Sequence, residues 1–82
     1  MVTITIGPNP ASNLLKVFTH NFARDKKMEI SILSMSGTLV KTIVSNTSNQ
    51  VIPVNITALV TGSYIIKIKT SDTLISTQFV KL

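Results

Sequence analysis

Val2-Thr3-Ile4-Thr5-Ile6 alternates apolar and polar side chains without a break, the period of a strand with one buried face. Six further short segments of extended character follow, each cut off by residues that turn a chain. Gly7-Pro8-Asn9-Pro10 stops the first segment, because two prolines in three residues remove two backbone donors and hold their predecessors extended. Leu14 to Phe18 reads as the second strand, and the polar run His20 to Lys26 as a connection. In the third, Met28, Ile30 and Ile32 alternate with Lys27, Glu29 and Ser31. Ser34-Met35-Ser36-Gly37 is a tight-turn candidate in which Gly37 takes positive φ at little cost, so Thr38 to Val44 returns as the second arm of a hairpin. The polar loop Ser45 to Asn49 leads to Val51–Ile56, which Pro53 marks as an edge strand. Thr57 to Val60 makes a brief turn, Tyr64-Ile65-Ile66-Lys67-Ile68-Lys69 a penultimate strand, and Leu74 to Leu82 the last one, after the turn Ser71-Asp72-Thr73. Seven short strands about ten residues apart, with no helical period competing, predict an all-β fold, a seven-stranded antiparallel β-sandwich of immunoglobulin-like type.

Composition agrees. The 82 residues suffice for one domain and one thin core. A hydrophobic fraction of 44% against 13% charged residues excludes intrinsic disorder, and the Val, Ile and Thr content suits pleated, half-buried surfaces. No apolar run approaches the ~20 residues of a membrane helix, and no signal peptide is visible. The absence of cysteine excludes disulfides and thiolate metal sites. The net charge of +5 raises the question of an anionic partner, but only Arg24, Lys26 and Lys27 cluster. Phe18, Phe22, Tyr64 and Phe79 form no stacking array, so nucleic acid is not the expected partner.

Nor is there equipment for chemistry. His20 is the only imidazole and stands in no nucleophile motif; Asp25, Glu29 and Asp72 are too scattered for a calcium loop; three single glycines build no phosphate cradle. No catalytic residue, metal or cofactor is expected. Asn46-Thr47-Ser48 and Asn55-Ile56-Thr57 match the N-glycosylation triplet, which recurs by chance in an Asn- and Thr-rich chain. Leu59-Val60-Thr61-Gly62-Ser63-Tyr64 fits a tyrosine corner, in which the phenol bonds backbone a few residues upstream and Gly62 permits the sharp entry.

Pro8-Asn9-Pro10, then Ile32 to Val40 around Gly37, then Leu59 to Ile68, then Phe79-Val80-Lys81 at the end, stand in an order that resembles the type A C-terminal sorting domain of the type IX, or Por, secretion system of Bacteroidetes. The resemblance spans Thr3 to Leu82, although Gly7, Leu33, Ser34 and Thr38 replace residues common in the family. It implies that residues 1–82 are a single sorting domain at the C-terminal end of a larger secreted protein, with the cargo and its signal peptide upstream. It implies further an address that takes the cargo through the periplasm and across the outer membrane, to the surface or the medium, and is then cleaved off. The implied partners are the outer-membrane translocon, a sortase-like protease and the cargo in cis.

An exposed terminal strand also offers backbone groups for strand addition or an edge-strand dimer. Phe79, Val80, Lys81 and Leu82, with Lys67 and Lys69 alongside, are the expected recognition surface; Pro8, Asn9, Pro10, Gly37, Leu59, Gly62 and Tyr64 are expected to be scaffold. Removing Val80-Lys81-Leu82 is therefore expected to abolish export and spare most of the fold. The competing reading is an immunoglobulin-like binding or adhesion module of a cell-surface protein.

Overall fold

In the computed structural model, which describes all residues from Met1 to Leu82, the chain forms seven strands and no helix: β1 (Thr3–Gly7), β2 (Leu14–His20), β3 (Lys27–Ser34), β4 (Leu39–Asn46), β5 (Val51–Asn55), β6 (Gly62–Lys69) and β7 (Leu74–Lys81). They make two antiparallel sheets, ordered β1-β2-β5 and β4-β3-β6-β7. The strands match the sequence periods within a few residues. β3 and β4 pair as the expected hairpin, and Pro53 lies on the edge strand β5.

The period-2 pattern explains the layering. Leu15, Val17, Ile52 and Val54 point inward from the smaller sheet; Met28, Ile30, Ile32, Tyr64, Ile66, Ile68 and Phe79 point inward from the larger. Each such side chain contributes about 1.5–3 kcal/mol by leaving water. No buried side-chain nitrogen or oxygen lacks a hydrogen-bond partner, so polar groups do not erode that gain.

Local chemistry sets the turns. Gly37 stands at φ 92°, a conformation costly for other residues, and its N–H donates to the Ser34 carbonyl at 2.9 Å. Asn46 and Asn55, the first residues of the two glycosylation-like triplets, each accept a hydrogen bond on Oδ1 from the amide two residues on, Ser48 at 2.8 Å and Thr57 at 2.9 Å. Such side-chain turns are a structural use for asparagine.

Thr47 organises one pole of the sandwich. Its buried Oγ1 donates to the Ala23 carbonyl at 2.6 Å and accepts from the Lys26 amide at 2.9 Å, clipping the 21–26 connection to the end of β4. Met1 lies at this pole, its carbonyl accepting from Asn21 Nδ2 at 3.1 Å. Leu82 lies at the opposite pole, beyond the Gly62–Lys81 pair.

The tyrosine corner is present. Tyr64 is 6% exposed and its Oη donates to the Val60 carbonyl at 2.7 Å, while its ring stacks on Phe79 with centroids 5.7 Å apart. Gly62 enters β6 at φ 155°. Tyr64→Phe removes that single hydrogen bond and keeps the stack. It is expected to cost about 1 kcal/mol and to lower Tm by about 4–8 °C in a thermal melt followed by circular dichroism.

Candidate functional site: the terminal strand and its clamp

β7 is an edge strand of the larger sheet, paired on one side with β6 from Gly62↔Lys81 to Lys69↔Leu74. In a strand both backbone groups of alternate residues point to the same side, so Leu74, Ser76, Gln78 and Val80 turn theirs away from β6. The second half of that outward row is not free. After β1 ends at Gly7, the Pro8–Pro10 segment carries the chain from the smaller sheet to the larger and lays it along β7. Both peptide bonds preceding these prolines are cis.

Asn9 then uses its side-chain amide as a peptide group would be used. Its Oδ1 accepts from the Val80 amide at 3.0 Å and its Nδ2 donates to the Gln78 carbonyl at 3.4 Å. Ala11 continues with its backbone, donating to the Val80 carbonyl at 2.9 Å and accepting from the Leu82 amide at 2.8 Å, in a short parallel bridge. Proline on either side of Asn9 has no N–H to leave unpaired. Ala11 is 1% exposed, part of the core. The Pro-Asn-Pro motif is therefore more than a stop signal: it moves the chain between sheets and clamps the last strand.

The clamp changes what the expected recognition residues can do. Phe79 is 1% exposed and faces the core against Tyr64; Lys81, on the same inward face, is 8% exposed, its Nζ donating to the Leu82 backbone oxygen at 2.7 Å. Lys81 thus stands on the face opposite Lys67 and Lys69, because Lys67 and Lys69 alternate with the buried Ile66 and Ile68. Val80 and Leu82 are exposed on or beside the outer face. Lys67 pairs with Ser76 and Lys69 with Leu74, so Lys67 is four residues along the strand from Val80, about 13 Å. Lys69 joins Lys26 and Lys27 around an open cleft at the Met1 pole, also lined by Asp25 and Glu29. The structure brings Phe79, Val80, Lys81 and Leu82 together as one strand end and sets the two lysines farther along the sheet.

The remaining motif residues lie in the turns and the core. Leu59 packs half-buried on the core, Gly37 and Gly62 shape turns, and Tyr64 pins the corner. His20 ends β2 instead of lying in a loop, its Nε2 3.1 Å from Thr5 Oγ1.

Asn9→Ala, which strips the clamp of its amide, is expected to cost about 1–2 kcal/mol and to speed hydrogen exchange at the Val80 amide. Asn9→Asp keeps the acceptor and is expected to preserve much of the Val80 protection, which amide-resolved exchange measures directly. Phe79→Ala empties part of the core and is expected to cost about 3–5 kcal/mol, enough to leave little folded domain in a urea titration.

No curated protein matches the chain. A family model described as "Secretion system C-terminal sorting domain" matches residues 5–82, from within β1 to the clamped end of β7. That match favours the export reading over the adhesion module. A chain matched along nearly its whole length, with a terminal strand locked into a seven-stranded sandwich, belongs to the C-terminal sorting domains of the type IX secretion system.

Proposed function

We propose that this domain closes a larger secreted polypeptide, is read at the exposed end of β7, and is cut from its cargo after export. Family membership carries the general role: a C-terminal sorting signal for type IX secretion, which sends an N-terminal cargo to the cell surface or the extracellular space. The finer reading is that Val80 and Leu82 are touched by the translocon, that Lys67 and Lys69 extend the contact across the outer face, and that Phe79 and Lys81 serve from beneath by holding the strand in register. The observation that carries it is the clamp. Gln78 to Leu82 are bonded on their outward side by Asn9 and Ala11, so a partner meets a fixed surface instead of a frayed tail.

The proteolytic step belongs to a sortase-like protease acting upstream of Met1 or within the first few residues. Strand β1 pairs with β2 from Thr3 onward, which makes the stretch ahead of it the accessible one.

Truncation of the last three residues does not separate fold from address. Removing Val80-Lys81-Leu82 also removes both partners of Ala11 and one of Asn9, so fold and address would be lost together. Point substitution separates them. Residues 1–82 placed behind a periplasmic reporter, in a host with an active type IX system, are expected to send the reporter outside the cell with loss of the domain's mass, and only when the translocon is present. Val80→Ser with Leu82→Ser is expected to reduce that export strongly while the purified domain melts within a few degrees of the parent. Normal export by this pair would remove Val80 and Leu82 from the recognised surface.

A further inference from the structure

The four edge strands, β1, β4, β5 and β7, are not equally guarded. An open edge invites pairing, and charge, proline, bulges and coverage suppress it. β4 carries a bulge at Val40, where Leu33 pairs with Leu39 after Ile32 pairs with Lys41, and Lys41 points inward. The ammonium of Lys41 crosses to the Asn55 carbonyl of β5 at 2.6 Å, and β5 itself holds Pro53. That flank of the sandwich is closed.

The opposite flank, between β1 and β7, is closed only where Asn9 and Ala11 cross it. Toward the Met1 pole the outward edge of β7 runs through Leu74-Ile75-Ser76-Thr77-Gln78, with no charge, proline or bulge. The outward groups of Leu74 and Ser76 and the Gln78 amide have no partner strand. No ladder joins β1 to β7, and Ile4, Ile6 and Ile75, all on inward faces, stay half-buried there. Asn9 and Ala11 thus begin a fifth strand on the larger sheet and leave its continuation empty.

We propose that this continuation, along Leu74 to Gln78, is a strand-addition site, and that its occupant is an extended partner segment alternating apolar and acidic side chains. The proposal rests on the sorting reading and names the chemistry of the partner. Its apolar residues are set by the inward row, where they cover Ile75 and the exposed parts of Ile4 and Ile6. Its acidic residues are set by the outward row. There Lys67 stands directly behind Ser76 and Lys69 behind Leu74, and the short serine leaves the lysine ammonium free to reach over β7. The protein's eight Lys and Arg against three Asp and Glu favour an acidic segment over a second copy of this chain, which would bring the same positive charge. Five strand residues offer about 16 Å of edge, a length typical of strand-addition peptides.

Ser76→Pro tests the site, since proline is tolerated where the strand N–H faces away from the sheet. In the reporter fusion the parent domain is expected to be exported and Ser76→Pro to be exported about tenfold less, the equivalent of one lost ladder bond, with Tm shifted by only a few degrees. Export of Ser76→Pro at the parent level overturns the edge site. Failure of the parent fusion overturns the sorting reading beneath it, so the two failures are distinguishable.

A second measurement starts from the parent domain. Isotope-labelled domain is titrated with a short acetylated peptide of alternating valine and glutamate. The Ser76 and Gln78 amides are expected to shift and gain exchange protection while Val80 and Leu82 stay as they were; Lys67→Glu with Lys69→Glu is expected to weaken the response. Silence at Ser76 overturns the site, and an equal response to a valine–lysine peptide overturns its acidic preference. Protection of Ser76 that rises with protein concentration alone makes a second copy the occupant and overturns the proposed partner.

Discussion

Four hydrogen bonds between residues 9–11 and residues 78–82 join the beginning of the chain to its end. The rest of the domain depends on this junction because the segment leaving the smaller sheet is bonded here, by the Asn9 amide and the Ala11 backbone, to the edge of the larger one. Within each sheet, strands are held by their own ladders; between sheets the cohesion is side-chain burial, which is strong but not directional. The Asn9–Ala11 crossing adds direction. It fixes which edges lie together, places Ala11 in the core, and holds Phe79 where it stacks on Tyr64. The tyrosine corner then anchors the neighbouring strand through Val60. The terminal strand is consequently over-determined at its far end and under-paired at its near end.

Much of this fold was legible in the sequence, and the legible parts share a physical basis. Strand positions follow from a two-residue period that any half-buried sheet imposes. The Gly37 turn and the Tyr64 corner depend on residues a few positions apart, so their chemistry can be read locally. Pro53 announces an edge because a missing donor is tolerable nowhere else in a sheet.

What escaped the sequence is contact across long separations. Asn9 and Val80 are 71 positions apart, and nothing in a Pro-Asn-Pro triplet says that its amide will stand in for a peptide group. Lys41 and Thr47 look like ordinary surface polar residues, yet one spans the two sheets and the other ties a loop through its hydroxyl. The last strand misleads for a related reason. Leu74-Ile75-Ser76-Thr77 has no clean alternation, so the inward positions of Phe79 and Lys81 emerge only from their pairing with Tyr64 and Gly62. Lys81 lies with its stem along the protein and its ammonium turned to the chain end, an arrangement open to a long amphipathic side chain.

The odd number of strands has a consequence of its own. A chain that reverses direction at every turn and makes seven passes leaves from the pole opposite the one it entered. The domain measures 34 Å in its longest dimension, close to an eight-residue strand of about 26 Å with a turn at either end. A cargo joined ahead of Met1 therefore hangs from one pole while Val80 and Leu82 face outward at the other. The sandwich acts as a spacer: a globular passenger, whatever its bulk or charge, is held a domain's length from the Val80–Leu82 end of β7. An even number of strands would bring passenger and strand end to the same side, where the bulk of each cargo would lie against that end. Strand parity thus keeps passenger and strand end at opposite poles of the domain.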